Sequence, residues 1–216
     1  CLQLARLGEY YVAPNPMVGA VLVGHVVGDE QGEDIILGEG WHEQYGGPHA
    51  EPNCIRNAEM AHPEGIDYKS CTLYVSLEPC SHYGKTPPCA ELIIRKGIGH
   101  VVIGMLDPNP QVAGRGVKMM QEAGVEVKVG VLEEECRRLN KRFNCLHTNH
   151  RPYVILKWAQ TADGYIDVAR DSGTPLVIST PLTKQLVHQQ RAENMAIMVG
   201  TRTVLLDNPR LLNTRW

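Results

Sequence analysis

The sequence contains no run of basic residues and no long apolar segment, and each absence argues against a class of function. Its 216 residues carry a formal net charge of −3, with 21 Lys and Arg against 24 Asp and Glu. Surfaces that bind nucleic acid normally carry clustered Lys and Arg, so no nucleic-acid partner is expected. No apolar stretch approaches the roughly 20 residues of a membrane-spanning helix, so no membrane partner is expected either.

The cysteines show no disulfide framework. There are seven of them, an odd number without regular spacing, and no signal-peptide pattern opens the chain. Two are assigned below to a metal as thiolates, which predicts a reducing, cytoplasmic location. We expect the other five cysteines to be small buried apolar residues: Cys1, Cys54, Cys71, Cys136 and Cys145.

The sequence starts without Met, so we expect a piece of a longer protein.

Two short motifs supply the ligands of a metal site. PHAE (residues 48–51) gives one imidazole and one carboxylate, and the segment from Cys80 to Cys89 gives two thiols. Catalytic zinc normally keeps three protein ligands and leaves the fourth position to water. The pattern is typical of zinc deaminases, in which a Glu that is not a ligand carries the proton. We therefore predict zinc bound by His49, Cys80 and Cys89, with Glu51 as the catalytic residue.

The two ligand cysteines are separated by eight residues instead of the usual two. Prolines 87 and 88 favour a helix start, so Cys89 is predicted in the first turn of a helix that continues over residues 90–96. A helix N-terminus favours the thiolate that zinc needs. His49 likewise precedes a predicted helix over residues 50–60. His82 and Lys85 lie in the insert and are predicted contacts for an anionic or polar substrate.

The apolar segments predict an α/β arrangement. Strands are expected over residues 17–23, 35–42, 71–76, 100–105 and 125–129, with a turn over 28–34 and one amphipathic helix over 132–146. Asp107 and Asn109 follow a strand at its C-terminal end, where ligands gather in open α/β sheets, and are candidate substrate contacts. His42, near the loop that delivers His49, is another candidate. Asn15 stands between two prolines, a position typical of a turn residue.

A second domain is expected after a linker. Residues 147–152 (HTNHRP) are predicted to connect a first domain, 1–147, to a second, 148–216. Strands are predicted over residues 153–159 and 196–199, and helices over 181–191 and 201–206.

The motifs together resemble one family, the bifunctional deaminase/reductase of riboflavin biosynthesis. The long C-x₈-C insert is the most specific of them, because general cytidine-type deaminases resemble the shorter form. The resemblance covers nearly the whole chain. It is carried by APNPMVGAV (13–21), PHAE (48–51), LEPCSHYGKTPPC (77–89), DPNP (107–110), Lys157 with Asp163-Gly164, and Thr203 with Asp207-Asn208-Pro209.

For the first domain, the resemblance implies a three-layer α/β/α cytidine-deaminase-like fold. The implied substrate is a small phosphorylated pyrimidine, a diamino-pyrimidinone that carries a ribosylamino 5′-phosphate. Zn²⁺ would present a hydroxide to the amine-bearing carbon, and Glu51 would pass the water proton to the ring nitrogen and then to the leaving ammonia. The implied substrate contacts are Asn15, His42, His82, Lys85, Asp107 and Asn109.

For the second domain, the resemblance implies the start of a dihydrofolate-reductase-like α/β fold that uses NADPH to reduce the ribose. The family's later glycine-rich cofactor segment is absent from these 216 residues, so an NADPH site built from them alone would be incomplete. The matching cofactor and substrate positions are Lys157, Ser179, Arg191, Thr203, Asp207 and Arg215.

Two alternatives stay open at this point. The first is a deaminase of another base, such as free cytidine, guanine or a tRNA base. The second is a non-catalytic, zinc-stabilised binding domain, in which His42 or His82 would supply a fourth ligand. The sequence also leaves the number of associating chains open.

Overall fold

A computed structural model describes residues 1–28, 34–84, 87–110, 112–170 and 173–214. The chain folds as two units, Cys1–Tyr153 and Val154–Trp216. The predicted domain boundary after residue 147 stays a prediction, and in the structure this residue lies inside a helix. Most of the turn predicted over residues 28–34 lies outside the described residues. None of the described helices combines the length and the apolar character needed to cross a bilayer.

The first unit is built on a mixed five-stranded sheet in the order β2-β1-β3-β4-β5. β1 pairs antiparallel with β2 and β3, whereas β3, β4 and β5 run parallel. Because β3 and β4 are parallel neighbours, the segments that follow them leave the same edge of the sheet. The strands are β1 Gly19–Gly24, β2 Ile35–Trp41, β3 Thr72–Leu77, β4 His100–Met105 and β5 Glu126–Val129.

Helices cover both faces of this sheet. One group packs together on one face, where α2 contacts β1 and β2, α3 contacts α2, and α4 contacts α3 and β5. Two further helices, α1 and α5, contact each other and pack on β1 and β4. The predicted three-layer α/β/α architecture is therefore confirmed. The helices are α1 Leu2–Arg6, α2 Ala50–Ala61, α3 Cys89–Lys96, α4 Arg115–Glu122, α5 Glu133–Leu139 and α6 Lys141–Asn149.

Helix α2 lies directly against strand β2. A Cβ atom on Gly40 would come within 2.3 Å of the backbone nitrogen of Cys54, and one on Gly38 within 2.6 Å of the Cys54 carbonyl oxygen. The Asn53 side chain donates a hydrogen bond to the Trp41 carbonyl at 2.8 Å. Two glycines on the strand therefore let the backbone of α2 approach closely, and this contact fixes the position of its first turn.

The single helix predicted over residues 132–146 is wrong. Two helices, α5 and α6, meet instead at Asn140, which is 3% exposed and has non-helical angles (φ −103°, ψ 31°). Its side-chain oxygen accepts from the Met17 backbone N–H at 2.8 Å, and its amide donates to the Met17 carbonyl at 2.8 Å. A buried amide needs such partners, so this tertiary contact outweighs the continuous helical pattern of the segment.

Replacing Asn140 with alanine is expected to destabilise the protein. The change removes both hydrogen bonds and leaves the N–H and C=O of Met17 without these partners, which costs about 1–3 kcal/mol. The measurement is the midpoint of urea unfolding. Asn149→Ala, at an exposed position of the same helix, is the control and should leave the midpoint unchanged. Equal midpoints for both variants would show that the Asn140 contact contributes nothing to stability.

The second unit contains helices α7 Pro181–Ala192 and α8 Thr201–Asp207. The Thr180 side chain caps α7 by accepting from the Thr183 N–H at 3.2 Å, and proline occupies the first helical position. The strands predicted over residues 153–159 and 196–199 are wrong, because neither segment is in a strand. A strand is defined by ladder hydrogen bonds to a neighbour, and among the described residues these two segments make none with each other.

Candidate metal and active site

Three side chains with metal-binding atoms meet at the starts of α2 and α3. His49 is the N-cap of α2, Cys80 follows β3, and Cys89 is the first residue of α3. The Nδ1 atom of His49 lies 3.6 Å from Cys80 Sγ and 3.4 Å from Cys89 Sγ, and the three atoms lie within 4.8 Å of one another. His49 and Cys89 thus lie at the helix starts that the sequence predicts.

These separations fit tetrahedral zinc. Bond lengths of about 2.0–2.1 Å to nitrogen and 2.3 Å to sulfur at a tetrahedral angle place nitrogen and sulfur about 3.5 Å apart. Over the part of the chain that the structure describes, the only group of three or more potential ligands is His49, Cys80 and Cys89, without a fourth His, Cys, Asp or Glu. A cluster of three ligands is the form that zinc takes where a position is kept for water or substrate.

Hydrogen-bond donors around Cys80 favour a negative charge on its sulfur. The backbone N–H of Cys89 donates to Cys80 Sγ at 3.3 Å, and the N–H of Ala90 donates to the Cys80 carbonyl at 3.1 Å. Hydrogen bonds from the Cys89 thiol and then from His49 hold the pKa of the Cys80 thiol well below its ordinary value. Since zinc binds thiolates, this environment favours the ligating form.

Glu51 lies in the first turn of α2, two residues after His49, and is 3% exposed. Burial raises the pKa of this carboxyl group to about 7. The carboxyl group is also hydrogen-bonded to the Cys89 side chain, so it lies beside the ligand cluster without belonging to it. A carboxyl group in this position can accept and return a proton next to the metal site.

His42 is buried, and both of its ring nitrogens are paired within the protein. Nδ1 lies 2.9 Å from the Pro48 carbonyl, which can only accept, so we assign the ring proton to Nδ1. The other nitrogen, Nε2, then accepts from the side-chain amide of Asn15 at 3.1 Å. Burial lowers the pKa of His42 and favours this neutral form. Both nitrogens are occupied in the position that His42 adopts, which argues against its use as a fourth zinc ligand.

A cavity of about 250 Å³ opens over the metal cluster and Glu51. The loop before β1, the loops after β2, β3 and β4, and helix α6 contribute to its wall, so segments distant in sequence meet there. All the described substrate candidates from the first domain line it: Asn15, His42, His82, Asp107 and Asn109. Lys85 lies outside the described residues. Helix α6 adds Phe143 and His147, which the sequence analysis did not single out.

Glu78 is a second feature that the sequence analysis missed. Its carboxylate is 3% exposed and accepts four backbone hydrogen bonds. One oxygen accepts from Asp107 (3.1 Å) and Gly114 (2.9 Å), and the other from Gly116 (3.0 Å) and Val117 (3.3 Å). The charge therefore lies at the N-terminus of α4, where it is favoured, and ties that helix and the Asp107 loop to the end of β3. The sequence did offer one indication of this role, because Glu78 is a charged residue between an apolar strand and a ligand cysteine.

Replacing Glu78 with glutamine is expected to lower the free energy of unfolding by about 3 kcal/mol. The Gln amide offers one acceptor oxygen, so two of the four N–H groups would face a donor instead. Thermal and urea unfolding measure the loss. Glu122→Gln is the control, because Glu122 is exposed on α4 and pairs only at 3.8 Å with Lys118. An unchanged melting temperature in Glu78→Gln would contradict this role.

The reductase candidates of the second unit stay predictions, and their surroundings in the structure differ. Lys157 and Thr203 are exposed, and Ser179 is half-buried. Arg191 donates to the Leu212 carbonyl at 2.9 Å, and Asp207 pairs with Arg170 at 2.5 Å. No hydrogen bond or ion pair joins any two of these five described side chains. Arg215 lies outside the described residues.

Two family descriptions match the chain. Residues 1–105 match the cytidine and deoxycytidylate deaminase zinc-binding region, which contains His49, Glu51, Cys80 and Cys89. Residues 152–216 match the RibD C-terminal domain. The two matches cover most of the chain, and the gap between them includes helices α4, α5 and α6.

Curated relatives and solved structures agree with these matches. Riboflavin biosynthesis protein RibD from Synechocystis is 46% identical over 99% of this chain and 54% of its own length. A deaminase/reductase structure from Thermotoga maritima is 46% identical, with a TM-score of 0.83 over 98% of this chain and 56% of that one. The Rib2 deaminase of Aspergillus oryzae in complex with DARIPP is 27% identical, with a TM-score of 0.51 over 69% of this chain and 90% of that one. The chain spans about half the length of the curated relatives it matches.

Proposed function

Because the chain belongs to the RibD family of riboflavin biosynthesis proteins, we propose that its first unit is a zinc-dependent deaminase. The proposed substrate is 2,5-diamino-6-ribosylamino-4(3H)-pyrimidinone 5′-phosphate, and the proposed location is the cytoplasm. One observation carries the proposal. Three zinc-compatible atoms lie within 4.8 Å of one another beneath a cavity, with the buried carboxyl of Glu51 beside them.

In a hydrolytic deamination, three residues of the site would bind the metal and Glu51 would transfer protons. His49, Cys80 and Cys89 would hold the Zn²⁺, which when bound would lower the pKa of a coordinated water to about 7. Glu51 would take one proton from the attacking water and give it to the ring nitrogen. It would then take the second proton, from the hydroxyl now bonded to the ring carbon, and give it to the departing amine. The water oxygen forms a new bond to the ring carbon, the carbon–nitrogen bond breaks, and ammonia leaves.

The polar wall of the cavity fits the rest of the proposed substrate. Asn15, held by His42, can bond a polar group of the pyrimidine ring. Asp107 and Asn109 offer acceptors and donors suited to ribose hydroxyls, and the Asp107 carboxylate is itself held by the Asn109 backbone N–H at 2.8 Å. His82 and Lys85 come from the insert between the ligand cysteines and suit the phosphate. The complex of the Aspergillus Rib2 deaminase with DARIPP supports a small-molecule ligand for this fold.

For the second unit we propose a part in NADPH-dependent reduction of the ribosyl group. The match of residues 152–216 to the RibD C-terminal domain supports this proposal, as does the reductase activity named for the Thermotoga relative. No hydrogen bond or ion pair joins the candidate side chains in the described part of this unit, so we derive no reduction step from it.

The test combines metal analysis with an assay of ammonia release. The purified chain is expected to bind one zinc per molecule and to release one ammonia per phosphorylated diaminopyrimidine consumed. Cytidine and guanine, supplied at the same concentration, should release none. Zinc binding without ammonia from any substrate would favour the binding-domain alternative, and ammonia from cytidine or guanine would favour a deaminase of another base.

A further inference from the structure

Helix α6 reaches the cavity through two aromatic side chains. Phe143 and His147 are four residues apart, so they lie on the same face of the helix, and both line the cavity over the metal cluster. Their ring centroids are 4.4 Å apart with planes inclined at 58°. The sequence analysis placed Phe143 in a predicted helix and His147 at the start of the predicted linker, and it gave neither residue a functional role.

Contacts of Phe143 and of the start of helix α6 fix the position of His147. Phe143 packs against the hydrophobic core of the first unit. The start of α6 is held by the paired hydrogen bonds between Asn140 and Met17, in the loop that also carries Asn15. Phe143 therefore supports the imidazole of His147 against the cavity wall. A half-buried histidine held in this way loses little further freedom when it binds a ligand.

The charges around His147 indicate what it faces. Asp107 is half-buried in the same cavity, whose lining also includes His82 and His147, and burial raises the pKa of the Asp107 carboxyl group. The two imidazoles and the carboxylate thus share the part of the cavity formed by the Asp107 loop, the insert and α6. Glu51 is buried at the metal cluster, whereas His82 is exposed. A pyrimidine with its amine at Glu51 would extend its ribosyl phosphate toward these imidazoles.

We propose that His147 is a substrate-binding residue of the deaminase site, and that its imidazole donates a hydrogen bond to the substrate phosphate. Phe143 is the positioning residue that holds the ring. Asp107, as an anion, suits the ribose hydroxyls and repels a phosphate, which leaves the imidazole N–H groups as partners for that phosphate. The inference rests on the proposed function and extends it to helix α6.

The decisive variant is His147→Ala, tested with the phosphorylated substrate and with its dephosphorylated nucleoside. Loss of a hydrogen bond to a charged group is expected to raise KM for the phosphorylated substrate about tenfold with little change in kcat. The KM for the nucleoside should be the same for wild type and variant. His150→Ala is the matched control, because His150 is exposed at the end of the same helix and does not line the cavity. His147→Gln keeps an N–H donor and should recover part of the affinity.

Binding measured by calorimetry separates this inference from the proposed function. In a zinc-loaded Glu51→Gln background, adding His147→Ala should weaken binding of the phosphorylated compound about tenfold and leave binding of the nucleoside unchanged. This readout does not require turnover, so it tests His147 even if the wild type releases no ammonia. Equal weakening toward both compounds, or no weakening toward either, would overturn the phosphate contact.

Discussion

Glu51→Gln is expected to lower kcat for deamination by a factor of about 10²–10⁴ while zinc remains bound. Glutamine has nearly the same shape as glutamate, so it fills the same buried position at the start of α2. Its amide cannot take a proton from water and return it to the pyrimidine. Because the carboxyl group is not among the three ligands, the metal content should stay at the wild-type level. Ammonia release and metal analysis on the same preparation measure both quantities.

The control for Glu51→Gln is Glu59→Gln on the same helix. Glu59 lies two turns further along α2, where it pairs on the surface with Lys96 and Tyr68. Its replacement should leave kcat, KM and zinc content unchanged. Undiminished turnover by Glu51→Gln would refute its role as proton carrier. A loss of zinc in that variant would instead indicate that the carboxyl group supports the ligand cluster.

Cys80→Ser and Cys89→Ser are each expected to lose most of the bound zinc, and deamination with it. A serine hydroxyl does not ionise near neutral pH, so each change removes one of three anionic or imidazole ligands and leaves only two. The reason applies to both positions, although hydrogen bonds lower the pKa of Cys80 and raise that of Cys89. Metal analysis after extensive dialysis is the direct measurement, and ammonia release is the second.

Cys54→Ser provides the same chemical change at a buried thiol outside the cluster. Cys54 is fully buried in α2, where its thiol donates to the Gly38 carbonyl, and burial raises its pKa to about 12. A neutral thiol of this kind is not a ligand, and a serine hydroxyl can donate the same hydrogen bond. The variant should keep its zinc. Full metal occupancy in both Cys80→Ser and Cys89→Ser would exclude these residues as ligands.

The metal cluster could be predicted from the sequence because short-range features build it. His49 and Glu51 are two residues apart at a helix start, and the prolines before Cys89 mark the next helix start. Strand β4 also has the predicted bounds, His100–Met105, because its residues after His100 form one continuous apolar run, of which four of the five are buried. Each of these features depends on residues that are close together in the sequence, so it could be predicted from the sequence alone.

Features that depend on contacts between distant segments could not be predicted in this way. The four partners of Glu78 lie 29 to 39 residues beyond it, and the amide of Asn140 meets Met17 across 123 residues. Nothing near Glu78 or Asn140 in the sequence identifies these partners. The β-branched and aromatic run over residues 153–159 is typical of a strand, but such a run becomes one only beside a paired neighbour.

The close contact between α2 and β2 bears on how this site could be redesigned. The cavity wall comes from loops and from α6, and its residues can be exchanged for another ring or side chain without moving the helix that carries Glu51. Gly38 and Gly40 leave no such freedom, because any added methyl group would push α2 outward and carry the carboxyl group away from the metal ligands. Variants selected for a new substrate are therefore expected to change the rim and to retain both glycines.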